Sequence, residues 1–340
     1  MTGRLRQKRV SRTVGKSVDG SKPGLRRVFL FRALLALVCF LAGIGLVVWM
    51  RPLQVLFALA QIALRADGVH SEYTRVDGYR IHYYVGGAGK PIVLVHGLGG
   101  RSEDWTQLMP KLIRGGYRVY ALDLLGYGRS ERPRDAAYSI PQEAGIVEHF
   151  IAAEGLQQAD LVGWSMGGWI AMRVALDEPQ AIRRLVVLDS AGLRFVVPYD
   201  PALFWADTPE KLAHLNDLLS PGKAPALAGF IQRAVLRTIE RNGWVMQRSL
   251  NSMMTGADIV DGKVSTLKMP LLIQWGKQDQ ITPVSLGYEL HAEAPQSLLE
   301  IYDGCGHLAP RECVNRIAPR MIDFLNANPA PAGGIVEMSH

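Results

Sequence analysis

The sequence predicts an α/β protein with an open, mostly parallel, doubly wound sheet, a helical insertion and an N-terminal transmembrane helix. Short uninterrupted apolar runs alternate with helical patterns over most of the 340 residues, which is typical of parallel strands buried on both faces. Residues 195–266 interrupt this alternation, because they contain helical patterns without a strand run. Residues 33–50 carry no charge and are long enough to span a membrane.

Composition and charge exclude several classes of protein. The chain is 48% hydrophobic and has no Gly-X-Y repeat, which excludes a disordered or collagen-like protein. Three cysteines, Cys39, Cys305 and Cys313, are too few for a disulfide scaffold and lack the spacing of a zinc site. Of the formal net charge of +7, residues 1–32 contribute +9, so the remaining chain carries −2. Because this remainder is nearly neutral, we expect no nucleic-acid partner.

Residues 1–32 form a basic tail without apolar periodicity, which predicts disorder. The apolar segment 33–50 follows, and a helix of this length rises about 27 Å, close to the hydrocarbon thickness of a bilayer. No small-residue cleavage site follows the segment directly, so an uncleaved anchor is favoured over a signal peptide or a buried core helix. The positive-inside bias then places the N-terminus in the cytoplasm and the following domain on the extracytoplasmic side, in the periplasm or an equivalent compartment.

A second apolar segment, residues 53–64, is too short to span a bilayer. It predicts either a helix in the membrane interface or, behind Pro52, half of a hairpin. We favour the interfacial helix, within a linker of residues 51–70, which would hold the following domain close to a lipid surface. That domain covers residues 71–328, and residues 329–340 are rich in Pro, Ala and Gly, which predicts a flexible tail.

Predicted strands and helices alternate within the domain. A hairpin strand, residues 79–85, follows the Asp77-Gly78 turn. The other predicted strands are residues 92–95, 119–122, 160–162, 185–188, 271–273 and 298–302. The predicted helices are residues 140–154 behind a Ser139 cap, 166–176, 284–294 and 311–325. In the insertion, residues 226–239 and 244–254 predict two helices, separated near Gly243, that cover one edge of the sheet.

The pentapeptide Gly163-Trp164-Ser165-Met166-Gly167 follows a predicted strand and opens a predicted helix. In this context a G-x-S-x-G motif places its serine on a sharp strand-to-helix turn, where glycines relieve crowding and the hydroxyl projects from the sheet edge. The N-terminus of the helix then offers backbone N–H groups and partial positive charge to a developing oxyanion. The motif therefore predicts Ser165 as a nucleophile.

A serine nucleophile needs a base, and the base needs an acid that orients it. Among eight histidines, His307 lies in a glycine-bracketed loop directly after the strand 298–302, at the edge where open α/β sheets form their active sites. Asp279 follows the strand 271–273 in the same way and is the favoured acid. Asp189 also ends a strand and remains the alternative acid.

A second glycine-rich loop, residues 96–100, follows the strand 92–95. It predicts that the backbone N–H groups of Leu98 and Met166 form an oxyanion hole. We expect the imidazole of His96 to form structural hydrogen bonds. Asp123, at the end of another strand, is expected to bind backbone amides of its own loop.

From about residue 73 to residue 325, these motifs resemble those of serine hydrolases of the α/β-hydrolase superfamily, including the order Ser165, Asp279, His307. The N-terminal anchor together with the Ser-Met-Gly-Gly elbow is similar to membrane-bound monoacylglycerol lipases and related esterases. The resemblance implies an α/β-hydrolase fold with a helical cap at about 195–266 that binds the substrate. It also implies hydrolysis of lipid-like carboxylic esters through an acyl-enzyme, with no cofactor and no metal.

Other functions remain open. Related members use the same triad for carbon–carbon bond hydrolysis or for cofactor-free perhydrolysis, and a ligand-binding receptor on this fold is a non-enzyme alternative. Dehalogenase and epoxide-hydrolase activities are disfavoured, because those relatives carry an Asp nucleophile where this chain has Ser165. Cys305 and Cys313 are expected to be two separate thiols, since nothing in the sequence directs one toward the other.

Overall fold

The computed structural model describes residues 23–223 and 226–339, in two compact units that divide between Met50 and Arg51. The first unit contains helix α1, Pro23–Met50. This helix begins ten residues before the charge-free segment, so the prediction of disorder is wrong for residues 23–32, while residues 1–22 lie outside the described part. Apolar residues 28–31 continue the helix toward Pro23, a residue suited to a first helical turn.

Helix α1 is long and apolar enough to cross a membrane. Its segment Arg27–Met50 has a mean hydropathy of 2.6, and its large apolar side chains are exposed. An N-terminal signal sequence has the same length and composition.

Nine strands lie in the described part of the second unit and form one sheet. They are β1 His70–Val76, β2 Tyr79–Gly87, β3 Lys90–Val95, β4 Tyr117–Leu122, β5 Ala159–Trp164, β6 Ile182–Leu188, β7 Leu271–Gly276, β8 Leu298–Tyr302 and β9 Ile335–Met338. Their spatial order is β1-β2-β4-β3-β5-β6-β7-β8-β9. The pairs β1–β2 and β2–β4 are antiparallel, and all further neighbours are parallel.

Helices cover both faces of this sheet. They are α2 Pro52–Ala66, α3 Met109–Arg114, α4 Ile140–Ala153, α5 Met166–Asp177, α6 Pro209–Leu219, α7 Gly229–Met254, α8 Ser285–Glu293, α9 Ala309–Glu312 and α10 Val314–Asn326. One apolar cluster joins the sheet to α4, α5 and α8, and another joins it to α3 and α10. The predicted doubly wound α/β fold is confirmed, and the uninterrupted apolar runs are the strands buried on both faces.

The insertion between β6 and β7 contains α6, α7 and two 3-10 turns and no strand among its described residues, but its longest element differs from the prediction. Two helices were expected on either side of Gly243, whereas α7 runs through that glycine without a break. A Cβ added at Gly243 would lie 3.6 Å from the Cβ of Trp205, in the short 3-10 turn Pro201–Trp205. This is an ordinary van der Waals distance, so the turn packs on α7 at Gly243, and the glycine does not end a helix.

The prediction of a flexible C-terminal tail is wrong for residues 335–338. These residues form β9, which pairs in parallel with β8. The Arg316 guanidinium on α10 donates to the carbonyls of Met338 (2.8 Å) and Ser339 (3.0 Å). A strand this short within Pro- and Gly-rich sequence is stabilised by these distant partners, which local pattern does not reveal.

The expectation of two separate thiols is also wrong, because Cys305 and Cys313 form a disulfide with a Cα–Cα distance of 6.2 Å. The predicted continuous helix 311–325 is divided into α9 and α10, with Cys313 at the junction. This break turns the side chain of Cys313 back toward the loop that contains Cys305. Cys39 is a free, exposed thiol.

Helix α2 packs on the rest of the second unit. It packs against α7 and against the 3-10 turn Ser102–Trp105, and its Leu64 is fully buried. The Arg101 guanidinium lies 4.2 Å from the centre of the Phe57 ring. On the side of α2 that faces away from these contacts, three large apolar residues are more than half exposed: Leu56, Leu59 and Ile62.

Candidate active site

Ser165 lies on the predicted sharp turn between β5 and α5. Its backbone has φ 57° and ψ −121°, an unusual conformation for a residue with a side chain. A Cβ at Gly163 would clash with the carbonyl oxygen of Gly167, and one at Gly167 would clash with that of Val95. The flanking glycines therefore let the turn pack tightly against the sheet, while Ser165 remains 9% exposed at its edge.

The structure brings the three residues of the predicted triad together. His307 Nε2 lies 3.0 Å from Ser165 Oγ, and His307 Nδ1 lies 2.8 Å from Asp279 Oδ2. All three side chains are buried or nearly so. The indole of Trp164 donates to the His307 carbonyl at 2.9 Å, which ties the histidine loop to the end of β5. The hydrogen bonds form one chain from the serine hydroxyl to the carboxylate.

Asp279 is held by its own loop. Its Oδ1 accepts hydrogen bonds from the backbone N–H groups of Ile281 (2.8 Å) and Thr282 (3.0 Å). The Thr282 hydroxyl lies 2.8 Å from Asp279 Oδ2 and 3.2 Å from His307 Nδ1. Sequence reasoning missed Thr282, although a hydroxyl residue three positions after a loop aspartate is a recurring hydrogen-bond spacing. Thr282 fixes the carboxylate orientation that points Oδ2 at the imidazole.

Asp189, the alternative acid, forms no hydrogen bond with His307. Its Oδ1 accepts from the Gly276 N–H at 2.7 Å, and its buried Oδ2 has no hydrogen-bond partner among the described residues. Burial, together with the charge of nearby Asp279, raises the pKa of Asp189 well above its usual range. Asp189 therefore joins the ends of β6 and β7 through its hydrogen bond with Gly276 and does not orient the imidazole.

The glycine-rich loop after β3 lies directly beside the nucleophile. A Cβ at Gly97 would lie 3.0 Å from the Cβ of Ser165. Among the described residues, the backbone N–H groups of Leu98 and Met166 donate to no backbone carbonyl, which leaves both available to a ligand. The structure thus places the two predicted oxyanion donors on the loop and the helix that border Ser165.

His96 supports this loop, as predicted. Its Nδ1 donates to the Gly97 carbonyl at 2.8 Å, and its Nε2 accepts from the Leu124 N–H at 3.1 Å. Burial lowers the pKa of His96, so the ring remains neutral and can both donate and accept. The structural role expected for His96 is confirmed.

Asp123 binds backbone amides, as predicted, and has a further partner. It accepts hydrogen bonds from the N–H groups of Ser102 (2.7 Å) and Arg129 (2.8 Å). His82, which sequence reasoning did not single out, lies 2.7 Å from the same carboxylate. Burial alone would raise the pKa of Asp123, but the His82 and backbone hydrogen bonds lower it to about 2. Asp123 therefore stays ionised and fixes two loops at the site edge.

Helix α7 covers this edge and touches the loops around Ser165. A Cβ at Gly99 would lie 2.8 Å from Met246 Sδ, and one at Gly126 would lie 2.8 Å from a methyl group of Val245. The hydroxyls of Tyr127 and Ser249 are 2.8 Å apart. The helix therefore supplies an apolar cover next to the glycine-rich loop.

Glu143 on α4 is a buried carboxyl beneath the loop that follows β4. Its Oε2 accepts from the Leu125 N–H at 3.1 Å, and its Oε1 has no partner among the described residues. Burial raises the pKa of Glu143 from its ordinary value of 4.5 to about 8. The carboxyl is therefore protonated in the folded protein at neutral pH.

This shift predicts a pH-dependent stability. Because the folded state holds the proton more tightly than the unfolded state, the stabilisation is complete below pH 4.5 and is lost as the pH rises to about 8. Glu143→Gln keeps an acceptor for Leu125 and removes the titration. Urea unfolding at several pH values should show a decline for the natural protein and a flatter profile for the variant. Equal declines would contradict the assignment.

In residues 23–223 and 226–339, no group of three or more His, Cys, Asp or Glu side chains is placed to hold a metal ion. The chemistry available to the site is that of the serine, the imidazole and the carboxylate. A serine whose hydroxyl is hydrogen-bonded to an oriented imidazole can attack an electrophilic carbonyl and transfer its proton to the ring.

Comparison with known proteins identifies the family of the fold. A family model for the alpha/beta hydrolase fold matches residues 90–311. The chain is 30% identical to 2-hydroxymuconate semialdehyde hydrolase of Pseudomonas sp. (strain CF600) over 271 residues, 73% of this chain and 91% of that one. A bacterial membrane phospholipase A has 26% identity and a TM-score of 0.74, covering 87% of this chain and 99% of its own. A putative lipase of Acinetobacter baumannii shares the fold, with 23% identity, a TM-score of 0.71 and coverage of 79% and 94%.

Proposed function

The chain belongs to the family of proteins with the alpha/beta hydrolase fold, and on this premise we propose that it is a membrane-anchored serine hydrolase that cleaves lipid-like carboxylic esters. The observation that carries the proposal is the hydrogen-bond chain from Ser165 through His307 to Asp279. A monoacylglycerol-type lipase or carboxylesterase is the substrate class we favour, because the site lies under an apolar cover on a chain with a membrane-length helix.

In the proposed reaction, Ser165 Oγ attacks the ester carbonyl while His307 Nε2 takes the hydroxyl proton. The N–H groups of Leu98 and Met166 stabilise the oxyanion that forms. The tetrahedral intermediate then collapses, and the alcohol departs with the proton that His307 returns. The acyl group remains bonded to Ser165 Oγ. Water then attacks the carbonyl of the acyl-enzyme, with His307 again as the base, and the carboxylic acid is released from Ser165. Asp279 keeps the proton of the neutral ring on Nδ1, so that Nε2 can act as the base.

The proposed placement is a single span with the catalytic domain outside the cytoplasm. The excess of basic residues before the span supports this orientation, and the Cys305–Cys313 disulfide fits an oxidising compartment. Helix α2 begins after a single residue, Arg51, and its exposed face of Leu56, Leu59 and Ile62 suits the membrane interface.

We expect protease added outside an intact plasma membrane to digest the catalytic domain. The N-terminal tail should be digested only when the membrane is opened, because the basic residues hold it in the cytoplasm. Epitope tags at the two termini report each side in the same sample. Digestion of the domain from the cytoplasmic side alone would contradict the orientation and would favour a hairpin or an interfacial anchor.

A second candidate reaction is carbon–carbon bond hydrolysis. The 30% identity to 2-hydroxymuconate semialdehyde hydrolase favours it, because that relative covers most of the catalytic domain. The ester proposal draws its separate support from the membrane-length helix and from the membrane phospholipase A, which matches 87% of this chain.

Turnover on a substrate panel separates the two reactions. The panel contains acetate esters, medium-chain monoacylglycerols and 2-hydroxymuconate semialdehyde. We expect the medium-chain monoacylglycerols to give the highest kcat/KM, since each methylene buried under the cap contributes about 0.8 kcal/mol, or about fourfold. Faster turnover of acetate esters would indicate a general esterase and not a lipase. Preference for the semialdehyde would indicate that the protein is a carbon–carbon bond hydrolase and would contradict the ester proposal.

A further inference from the structure

A stripe of arginines runs along the outer face of α7. Arg233, Arg237 and Arg241 are spaced by four residues, and Arg248 falls on the same stripe at seven residues further on. All four side chains are exposed. The ion pairs of the described residues include none of these guanidinium groups. The Arg248 guanidinium donates to the carbonyls of Arg134 (2.6 Å) and Ala136 (3.1 Å), so Arg233, Arg237 and Arg241 are the positive charges of the stripe that are open to an external anion.

The stripe borders a groove that holds two tryptophans. A cavity of about 700 Å³ lies beside the contact between Trp205 and α7 and is lined by Trp205, Arg233, Arg237 and Trp244. The guanidinium groups of Arg134 and Arg248 lie 4.6 Å and 5.1 Å from the centre of the Trp244 ring.

Acidic side chains do not neutralise this surface. Two carboxylates line the groove, Asp207, which pairs with Lys211 at 2.7 Å, and Glu240, so the three arginines Arg233, Arg237 and Arg241 are in excess. The chain after residue 32 has a net charge of −2, so this cluster of positive charge is local to the cap.

The position of α7 indicates which anion the stripe meets. Helix α7 packs against α2, and one residue separates α2 from the end of α1 in the sequence. Surfaces that combine arginine with tryptophan are typical of segments in the headgroup region of a membrane, where the phosphates of anionic lipids attract basic residues.

We propose that the arginine stripe of α7 and the adjoining groove bind the phosphate head groups of anionic lipids in the membrane that anchors the chain. This inference rests on the proposed membrane anchoring of the hydrolase. The contact would hold the outer face of the cap against the lipid surface, while Met246, on the opposite face of α7, touches the glycine-rich loop. The active site beneath the cap would then lie near the membrane that contains its lipid-like esters.

The test uses the full chain reconstituted in nanodiscs of phosphatidylcholine, alone or mixed with phosphatidylglycerol. Phenylglyoxal modifies exposed arginines, and mass spectrometry of peptides gives the rate at each one. Arg233, Arg237 and Arg241 should react about fivefold more slowly in the anionic discs at low salt, and this protection should disappear at high salt. Arg114, an exposed arginine at the opposite edge of the sheet, should react equally in both discs. Equal rates at the stripe in the two lipids would overturn the inference.

A second measurement compares the rates of ester hydrolysis in anionic and neutral discs. For each variant, the rate on a disc-embedded ester in anionic discs is divided by the rate in neutral discs. This ratio should exceed one in the natural protein and fall to one when Arg233, Arg237 and Arg241 are changed to Gln. A control with Arg114, Lys263 and Lys268 changed to Gln should keep the natural ratio. A natural ratio of one, or equal ratios in both variants, would overturn the inference.

The two proposals fail separately. If a water-soluble ester is hydrolysed but the arginines are unprotected by phosphatidylglycerol, the lipid contact is wrong and the hydrolase stands. If the arginines are protected and no ester is hydrolysed, the lipid contact stands and the proposed reaction is wrong.

Discussion

Ser165→Ala is expected to abolish ester hydrolysis while leaving the protein folded. The variant removes the hydroxyl that lies 3.0 Å from His307 Nε2, and loss of a nucleophile typically lowers kcat by several powers of ten. Alanine tolerates the positive φ of this position no worse than serine does, so the turn should persist. Turnover of a water-soluble ester measures the loss, and thermal unfolding of the same preparation measures the fold.

Ser190→Ala provides a matched control, because Ser190 is another buried serine near the elbow whose hydroxyl donates to the Ala191 carbonyl. Its loss removes one hydroxyl of the same kind without touching His307. The control should keep most of the activity. If Ser165→Ala keeps more than a small fraction of the natural turnover, the nucleophile has been assigned to the wrong residue.

Asp279→Asn should have the second largest effect, a loss of up to about four powers of ten in kcat. The carboxylate accepts from His307 Nδ1 at 2.8 Å, whereas an amide NH₂ at that position would favour the tautomer with its proton on Nε2. That tautomer cannot take the proton of Ser165. The pH dependence of kcat on a soluble ester, together with thermal unfolding, distinguishes a lost base from a lost fold.

Asp189→Asn is the informative comparison. An asparagine there can still accept from the Gly276 N–H, and Asp189 has no hydrogen bond to His307, so activity should be largely retained. Any loss should be found in stability, because the residue joins the ends of β6 and β7. The reverse result, with Asp189→Asn inactive and Asp279→Asn active, would assign the acid to β6.

The parts of the fold that follow from the sequence are those with strong local causes. The strands of the central sheet appear as uninterrupted apolar runs because both of their faces are buried, and each ends at a loop that carries a polar residue. Since parallel strands end at one edge, the sequence positions of Ser165, Asp279 and His307 were sufficient to place them near one another. The 2.8 Å and 3.0 Å hydrogen bonds are details that required coordinates.

The differences arise where distant contacts decide the structure. Gly243 is a weak helix former, but α7 continues through it and packs there against the turn that contains Trp205. Strand β9 has few residues and depends on β8 and Arg316. The disulfide depends on a helix break at Cys313 that turns its side chain toward Cys305. The arginine stripe of α7 is visible in the sequence only after the helix is known to be unbroken.

The most direct test of the central claim is covalent labelling with a fluorophosphonate, which reacts with an activated serine, followed by peptide mass spectrometry. The account predicts one label on the intact protein, on the peptide that contains Ser165, and a labelling rate that falls when a medium-chain monoacylglycerol competes for the site. His307→Ala should slow the labelling, because the base that activates the serine is gone. Absence of a label, a label on another residue, or a rate unaffected by the monoacylglycerol would contradict the claim that Ser165 is the nucleophile of a lipid-ester hydrolase.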